Sequence, residues 1–173
     1  AEAHHNLGAA FRALGKLDIS AAAFRAALDI DPNDAETHNQ LGDILRESSD
    51  LDKAINHYQK AINIKADFAE AYSSLGNVFY MQGKATDAVV NHQIALSINP
   101  DFVEAHNNLG NALKTLGNLR EAVASYQKAL SIRPNSAEIH FNLASSMESQ
   151  GNVESARKHL DLALTFKPEM DGW

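Results

Sequence analysis

The sequence pattern that predicts the fold is clearest in residues 103–136, which read VEAHNNLGNALKTLGNLREAVASYQKALSIRPNS. Small and apolar residues recur there at steps of three and four, the spacing of one helix face, until Gly117 and Asn118 interrupt it. The same spacing resumes at Ala122 and continues to Ile132. Because glycine adopts the left-handed conformation that ends many helices at little cost, the interruption predicts a turn. The segment is therefore predicted to be a helix–turn–helix hairpin.

The same pattern recurs along the chain with a period of 34 residues. A leucine followed by a small residue marks each copy: Leu7-Gly8, Leu41-Gly42, Leu75-Gly76, Leu109-Gly110 and Leu143-Ala144. An aromatic-leaning column holds Phe24, Tyr58, His92, Tyr126 and Leu160, and a proline column holds Pro32, Pro100, Pro134 and Pro168, with Ala66 in the second copy. Repeats are predicted at residues 1–34, 35–68, 69–102, 103–136 and 137–170, with residues 171–173 as a C-terminal stub or the start of a further repeat.

Local signals predict where each helix begins and ends. Glycine follows the first helix in four copies, whereas Ser49 takes that place in the second copy and predicts a looser turn there. Asn or Asp followed by Glu three residues later predicts capping boxes at Asn33 and Glu36, Asp67 and Glu70, Asp101 and Glu104, and Asn135 and Glu138. Glycine inside a helix costs about 1 kcal/mol relative to alanine. The glycine after each leucine therefore predicts a close approach of the two helices of the hairpin.

These features resemble the tetratricopeptide repeat family, and the resemblance covers essentially the whole chain. It implies an all-α fold: a right-handed superhelical solenoid of five helical hairpins, with about ten antiparallel helices, forming a single domain over residues 1–170. It also implies a concave groove lined mainly by the first helix of each hairpin. The sequence departs from the family where a large aromatic residue is usual, with His4, His38, Tyr72, His106 and His140.

Composition excludes several classes of partner. The net charge of −7 argues against nonspecific binding of nucleic acid or anionic lipid, which needs a basic surface. The chain has no apolar run long enough for membrane insertion. It also has no cysteine, so disulfides and thiolate metal sites are excluded. This composition is compatible with a reducing compartment and favours the cytoplasm without fixing the location.

No catalytic or cofactor-binding motif is recognisable. The spacing from Gly8 to Gly15 and Lys16 differs from that of a phosphate-binding loop. Four histidines share one repeat position, but stacked helices lie about 8–10 Å apart, too far for such a column to coordinate one metal ion. We therefore predict a packing role for these histidines, no metal, no cofactor and no enzymatic activity.

The family resemblance places the binding groove on repeat positions 5, 6, 9, 12 and 13. The predicted peptide- or partner-binding residues are Asn6, Arg12, Asn39, Gln40, Asp43, Arg46, Ser74, Asn77, Tyr80, Asn107, Asn108, Asn111, Lys114, Asn142 and Ser145. A carboxamide both donates and accepts hydrogen bonds, so a row of them can pair with a peptide backbone whatever its side chains. The segment Ala105–Asn111 is similar to the asparagine ladder of O-linked N-acetylglucosamine transferases. Solvated groove residues without a ligand are the alternative interpretation.

The leading hypothesis is a scaffold that binds a protein or an extended peptide in this groove. At repeat position 12, Arg12, Arg46 and Lys114 could hold acidic side chains of the partner, although ordinary surface charge is the alternative. A second hypothesis is a substrate-recruiting segment of a larger enzyme, such as a glycosyltransferase or a sulfotransferase. A third is self-association through the last hairpin, where Leu160, Leu164 and Phe166 lack a cover unless Met170 and Trp173 fold over them.

Overall fold

The structure is a computed structural model that describes residues 1–166. Within this range the chain is all-α, with ten helices and no strand. The helices are α1 (Glu2–Ala13), α2 (Leu17–Ile30), α3 (Ala35–Glu47), α4 (Leu51–Ile64), α5 (Ala69–Met81), α6 (Ala85–Ile98), α7 (Val103–Thr115), α8 (Leu119–Ile132), α9 (Ala137–Ser149) and α10 (Val153–Phe166). Pro168, the suggested cover by Met170 and Trp173, and the stub at residues 171–173 lie outside the described residues. The predicted all-α, helical-repeat class is confirmed.

The helices form two compact units, Ala1–Gln82 and a second that starts at Gly83. In unit 1, the helices from α1 to α5 pack in chain order, and α1, α3 and α5 also lie side by side. In unit 2, the helices from α6 to α10 pack in chain order, and α7 and α9 lie side by side. We call α1, α3 and α5 the first-helix face of unit 1, and α7 and α9 the first-helix face of unit 2.

Each unit buries its own apolar core between first and second helices. The core of unit 1 includes Phe24, Leu41, Ile44, Tyr58, Leu75 and Val78. The core of unit 2 includes Val103, Leu113, Tyr126, Ile139, Leu143 and Met147. The burial of this apolar surface away from water is the main contribution to the stability of the stacked hairpins.

The two helices of a hairpin interlock where an aromatic ring lies on a glycine. A Cβ atom added to Gly110 would lie 2.5 Å from Cε1 of Tyr126. The corresponding distances are 2.7 Å from Gly8 to the ring of Phe24 and from Gly42 to the ring of Tyr58. Real Cβ atoms do not approach a ring so closely, so a side chain at these positions would force the ring or the helices to shift. The predicted close approach is confirmed in these three hairpins.

The turns between the helices of a hairpin end in the left-handed conformation, and Ser49 adopts it as well. Its φ is 63°, close to the 79° of Gly117. The amide of Ser49 donates to the carbonyl of Arg46 at 3.0 Å, and the next amide donates to Leu45 at 2.8 Å. Equivalent bonds of 3.0 and 2.9 Å close the turn at Gly117. The prediction of a looser turn at Ser49 was therefore wrong.

The predicted capping boxes were also wrong, because the first helices begin one residue later than the pattern suggested. Their N-cap residues are Asp34, Phe68, Phe102 and Ser136. Asp34 caps α3 by accepting from the amides of Glu36 and Thr37 at 3.0 and 3.2 Å, while α5, α7 and α9 have no side-chain cap. The physical reason is that the turn after the proline position includes the residue that the pattern assigned to the cap.

Replacing Gly110 with alanine is expected to lower the free energy of unfolding by about 1 kcal/mol. Overpacking against Tyr126 costs roughly 1–3 kcal/mol, whereas the gain in helix propensity is about 1 kcal/mol. Urea unfolding followed by circular dichroism measures the difference. The fifth repeat has Ala144 and Leu160 at the places of Gly110 and Tyr126, so it shows that alanine occurs at this place where the ring is absent. The matched control therefore combines Gly110→Ala with Tyr126→Leu.

In the background of Tyr126→Leu, Gly110→Ala should therefore cost nothing or stabilise the protein, because the ring that it would meet is absent. A double-mutant cycle isolates this coupling between the two positions. An equal cost of Gly110→Ala in both backgrounds would contradict the interlock.

Candidate binding surface on the first-helix faces

A chain of amide hydrogen bonds crosses the first-helix face of unit 2. The side chain of Asn107 is buried, and its Nδ2 donates to Oε1 of Glu138 at 3.0 Å. Its Oδ1 accepts from Nδ2 of Asn142 at 3.1 Å. Both ends of the Asn107 amide are thus used between α7 and α9. This network fixes the direction in which the Asn142 side chain lies, and it places Glu138, which was assigned to a capping box, in a lateral contact instead.

Tyrosines of the core orient the acceptor side chains one residue beyond the interlocking glycine. The hydroxyl of Tyr126 donates to Oδ1 of Asn111 at 2.7 Å, and that of Tyr58 donates to Oδ1 of Asp43 at 2.8 Å. Burial, with the neighbouring Asp43 carboxylate, raises the pKa of Tyr58, so this hydroxyl stays protonated. In unit 2 the bond leaves the Nδ2 end of Asn111 pointing away from the core.

Sequence reasoning missed these tyrosines as positioning residues, although a signal was present. Tyr58 and Tyr126 occur in repeats that have Asp43 or Asn111 at position 9. The first repeat, by contrast, pairs Phe24 with an alanine at that position. In the second and fourth repeats the hydroxyl thus coincides with a polar side chain that it can bond, whereas the polar Asn77 and Ser145 share their repeats with His92 and Leu160.

On the first-helix face of unit 1, Arg12, one of two position-12 cations, is neutralised within the chain. Nη1 of Arg12 donates to Oε1 of Gln40 at 2.8 Å and to Oδ2 of Asp43 at 3.1 Å. Nη2 of Arg12 donates to Oε1 of Glu47 at 2.6 Å. The structure thus brings together three predicted site residues and adds Glu47, which the sequence analysis did not include. A guanidinium that already has two carboxylate partners is poorly available to a third.

The amide chain of unit 2 has no complete counterpart in unit 1. Asn39 is only 5% exposed, and its Oδ1 has no hydrogen-bond partner among the described residues. Ser74 stands where the corresponding repeat of unit 2 has Asn142. The shorter Ser74 side chain instead lies 3.5 Å from Oδ1 of Asp43. An unsatisfied buried carbonyl oxygen costs roughly 1–3 kcal/mol, so the amide network of unit 1 is incomplete.

The remaining predicted site residues differ in exposure. Asn6 and Tyr80 are exposed. The half-buried ones are Arg46, Asn77, Asn108, Asn111, Lys114, Asn142 and Ser145. Nε of Arg46 is buried without a hydrogen-bond partner among residues 1–166. With Asn107 buried, the predicted residues of unit 2 that keep some solvent exposure are Asn108, Asn111, Lys114, Asn142 and Ser145.

The histidine column packs within its hairpins instead of gathering at one point. The Nδ1 atoms of His38 and His57 lie 2.9 Å apart, and Nε2 of His38 lies 3.1 Å from the carbonyl oxygen of Pro32. Since a carbonyl only accepts, Nε2 of His38 carries the proton, and neutral His57 donates through Nδ1. His140 repeats this arrangement at 2.9 Å to both of its partners. The packing role is confirmed at His38 and His140, whereas His4 is exposed.

Two further observations concern metals and burial. In the part of the chain that the structure describes, no group of three or more histidine or carboxylate side chains could hold a metal ion.

His92 is 0% exposed, and neither of its ring nitrogens has a hydrogen-bond partner among the described residues. Burial lowers the pKa of His92 to about 4. Burial, together with His38, lowers the pKa of His57 to about 4 as well.

Family models of the tetratricopeptide repeat match this chain along most of its length. One, described as a TPR repeat, matches residues 8–45, 42–83 and 76–117. Two others, described as tetratricopeptide repeats, match residues 103–136 and 125–158. The chain belongs to the tetratricopeptide repeat family. Among curated proteins, none matches its sequence significantly.

Solved structures of several other proteins have a similar fold. A crystal structure of MamA is 26% identical, with a TM-score of 0.81 over 96% of this chain and 97% of MamA. PilF of Pseudomonas aeruginosa is 22% identical, with a TM-score of 0.89 over 95% of this chain and 75% of PilF. YrrB, described as having an unusual peptide-binding site, is 21% identical, with a TM-score of 0.76 over 97% of this chain and 87% of YrrB.

No helix within residues 1–166 has the length and apolar character needed to cross a bilayer.

Acidification is expected to destabilise the protein as the pH falls from about 6.5 to about 4. His92 stays neutral in the folded protein over this range, whereas an unfolded histidine takes up a proton, so the free energy of unfolding rises with pH. His92→Phe, which copies Phe24 of the same column, should reduce the pH dependence of the free energy of unfolding by up to the contribution of one proton. Urea unfolding at several pH values measures this dependence in the unmodified protein and in the variant, and both keep His57. An equal pH dependence in the two proteins would contradict a neutral, buried His92.

Proposed function

We propose that this tetratricopeptide repeat protein is a non-catalytic scaffold that binds a protein or an extended peptide on its first-helix faces. Family membership supports the class of function, and the similarity in fold to YrrB supports a peptide as the ligand. The observation that carries the proposal is the set of half-buried amides on the first-helix face of unit 2, whose orientation is fixed from within the protein.

Such pre-orientation favours binding. The Oδ1 atom of Asn111 is held by Tyr126, and the Nδ2 atom of Asn142 is held by Asn107. One end of each amide is thereby anchored and the other end is available. Because the rotamer is already restricted in the free protein, little conformational entropy is lost when a ligand binds. Donors on Asn111 and the acceptor on Asn142 can pair with peptide carbonyl and amide groups whatever the side chains are.

Two alternatives use the same fold differently. The similarity of Ala105–Asn111 to the asparagine ladder of O-linked N-acetylglucosamine transferases supports a substrate-recruiting segment of a larger glycosyltransferase or sulfotransferase. In that case the same face would bind substrate proteins, and the full-length reading frame would contain a catalytic domain. Self-association is supported by α10, on which Leu162 is 39%, Leu164 is 44% and Phe166 is 38% exposed.

The proposal predicts that Asn111→Asp weakens peptide binding by about tenfold, since a donor is replaced by an acceptor that carries charge. Aspartate is preferable to alanine because it still accepts the Tyr126 hydroxyl, as Asp43 does for Tyr58 in unit 1. The probe is a set of peptides selected from a random dodecapeptide library on the unmodified protein. Fluorescence anisotropy measures their affinities, and circular dichroism confirms unchanged helicity.

Gln127→Glu is the matched control, because it makes the same amide-to-acid change at an exposed position of α8. It should leave the affinity unchanged. Equal affinities for both variants would place the binding surface elsewhere. A molar mass that rises with protein concentration in light scattering, in the absence of any selected peptide, would instead favour self-association.

A further inference from the structure

Two of the position-12 cations, Arg12 in unit 1 and Lys114 in unit 2, lie in matched surroundings that differ in charge. In unit 1, Arg12 bonds the side chains 28, 31 and 35 residues further along the chain, which are Gln40, Asp43 and Glu47. In unit 2, the cation at the same repeat position is Lys114, and the same three offsets lead to Asn142, Ser145 and Ser149. Both carboxylates of unit 1 are therefore replaced by hydroxyls in unit 2.

Lys114 makes the hydrogen bond that corresponds to one made by Arg12, but no carboxylate neutralises its charge. Nζ of Lys114 donates to Oγ of Ser145 at 2.7 Å, the counterpart of the 3.1 Å bond from Arg12 to Asp43. In the described chain Lys114 forms no ion pair, while Arg12 forms two. An ammonium group has three N–H donors, so two of those of Lys114 remain available.

The groups beside Lys114 add further donors. Asn111 lies one helical turn earlier on α7, and its Nδ2 end is free of the Tyr126 bond that holds Oδ1. The hydroxyl hydrogen of Ser145 is also available, since its oxygen accepts from Lys114. The carboxylate of Glu138 is bonded to Asn107 and lies near the start of α9, about 15 Å along the helix from the level of position 12. Glu148 stands at position 12 of α9, where it is exposed and forms no ion pair with Lys114 among the described residues.

We propose that Lys114, Asn111 and Ser145 form a subsite for an acidic side chain of a bound peptide. The proposal rests on the proposed function, because it names the chemistry of the partner for the same face. A carboxylate oxygen of the peptide takes the place beside Lys114 that Asp43 and Glu47 take beside Arg12. Unit 1 shows that this repeat position accommodates a cation–carboxylate pair, and in unit 1 the chain supplies the carboxylates itself.

The first test compares peptides selected on two proteins. A phage-displayed random dodecapeptide library is selected on the unmodified protein and on the double variant Ser145→Asp, Ser149→Glu. This variant rebuilds the unit 1 arrangement around Lys114 without removing the lysine. Peptides selected on the unmodified protein should be enriched in Asp or Glu at one position, and the enrichment should disappear on the double variant.

The second test uses one enriched peptide and its copy with Asn or Gln in place of the acidic residue. Lys114→Met should weaken the acidic peptide by about tenfold and leave the neutral copy unchanged, since one charge-assisted contact is lost. The reciprocal variant Asp43→Ser, Glu47→Ser frees Arg12, and it should raise the number of acidic-peptide sites from one to two in a titration.

The outcomes separate the subsite from the proposed function. Peptides whose binding depends on Asn111 but which show no acidic enrichment would overturn the subsite and leave the binding face in place. Equal loss of the acidic and neutral peptides on Lys114→Met would also overturn it. A library that yields no peptide sensitive to Asn111→Asp would overturn both.

Discussion

The contact between an aromatic ring of a second helix and a glycine of the first helix determines much of what this structure can do. At Gly110 a Cβ atom would lie 2.5 Å from the ring of Tyr126, so the missing side chain lets the two helices approach. The same approach brings the tyrosine hydroxyl within 2.7 Å of Asn111, which follows Gly110 in the chain. One residue thus packs the hairpin and orients a side chain of the first-helix face.

Variation in the ring column changes this coupling from repeat to repeat. Phe24 packs on Gly8 but has no hydroxyl, and Tyr58 orients the acceptor Asp43. His92 is buried without a hydrogen bond in the described chain, which explains its low pKa. The units consequently differ at the first-helix faces: Arg12 is paired with Asp43 and Glu47 in unit 1, whereas amides and a lysine remain available in unit 2. Similar repeats therefore present different chemistry to a partner.

Features that depend on backbone geometry were largely predictable from the sequence. The period predicted the helices and turns, because its apolar spacing is helical and its glycines mark left-handed residues. Ser49 was misjudged, since serine gives no sign that the surrounding hairpin holds it at a φ of 63°. The capping boxes failed because the turn after the proline takes the residue expected at the cap.

The lateral bonds of the first-helix faces could not be predicted, because they depend on side-chain length across neighbouring helices. Asn142 reaches Asn107, whereas Ser74 at the equivalent place is too short to supply Asn39 with a donor. Arg12 was predicted to hold a partner, yet residues of the next repeat already surround it. Contacts from the neighbouring repeat therefore decide which of the predicted residues remain accessible to a ligand.

The coupling between packing and binding is tested most directly by Tyr126→Phe, which removes the hydroxyl and keeps the ring on Gly110. We expect unchanged helicity and a loss of stability of about 1 kcal/mol, the net value of one hydrogen bond. We also expect a severalfold weaker affinity for a peptide that depends on Asn111, because its side chain is no longer held. An unchanged affinity in a fully folded variant would contradict the account.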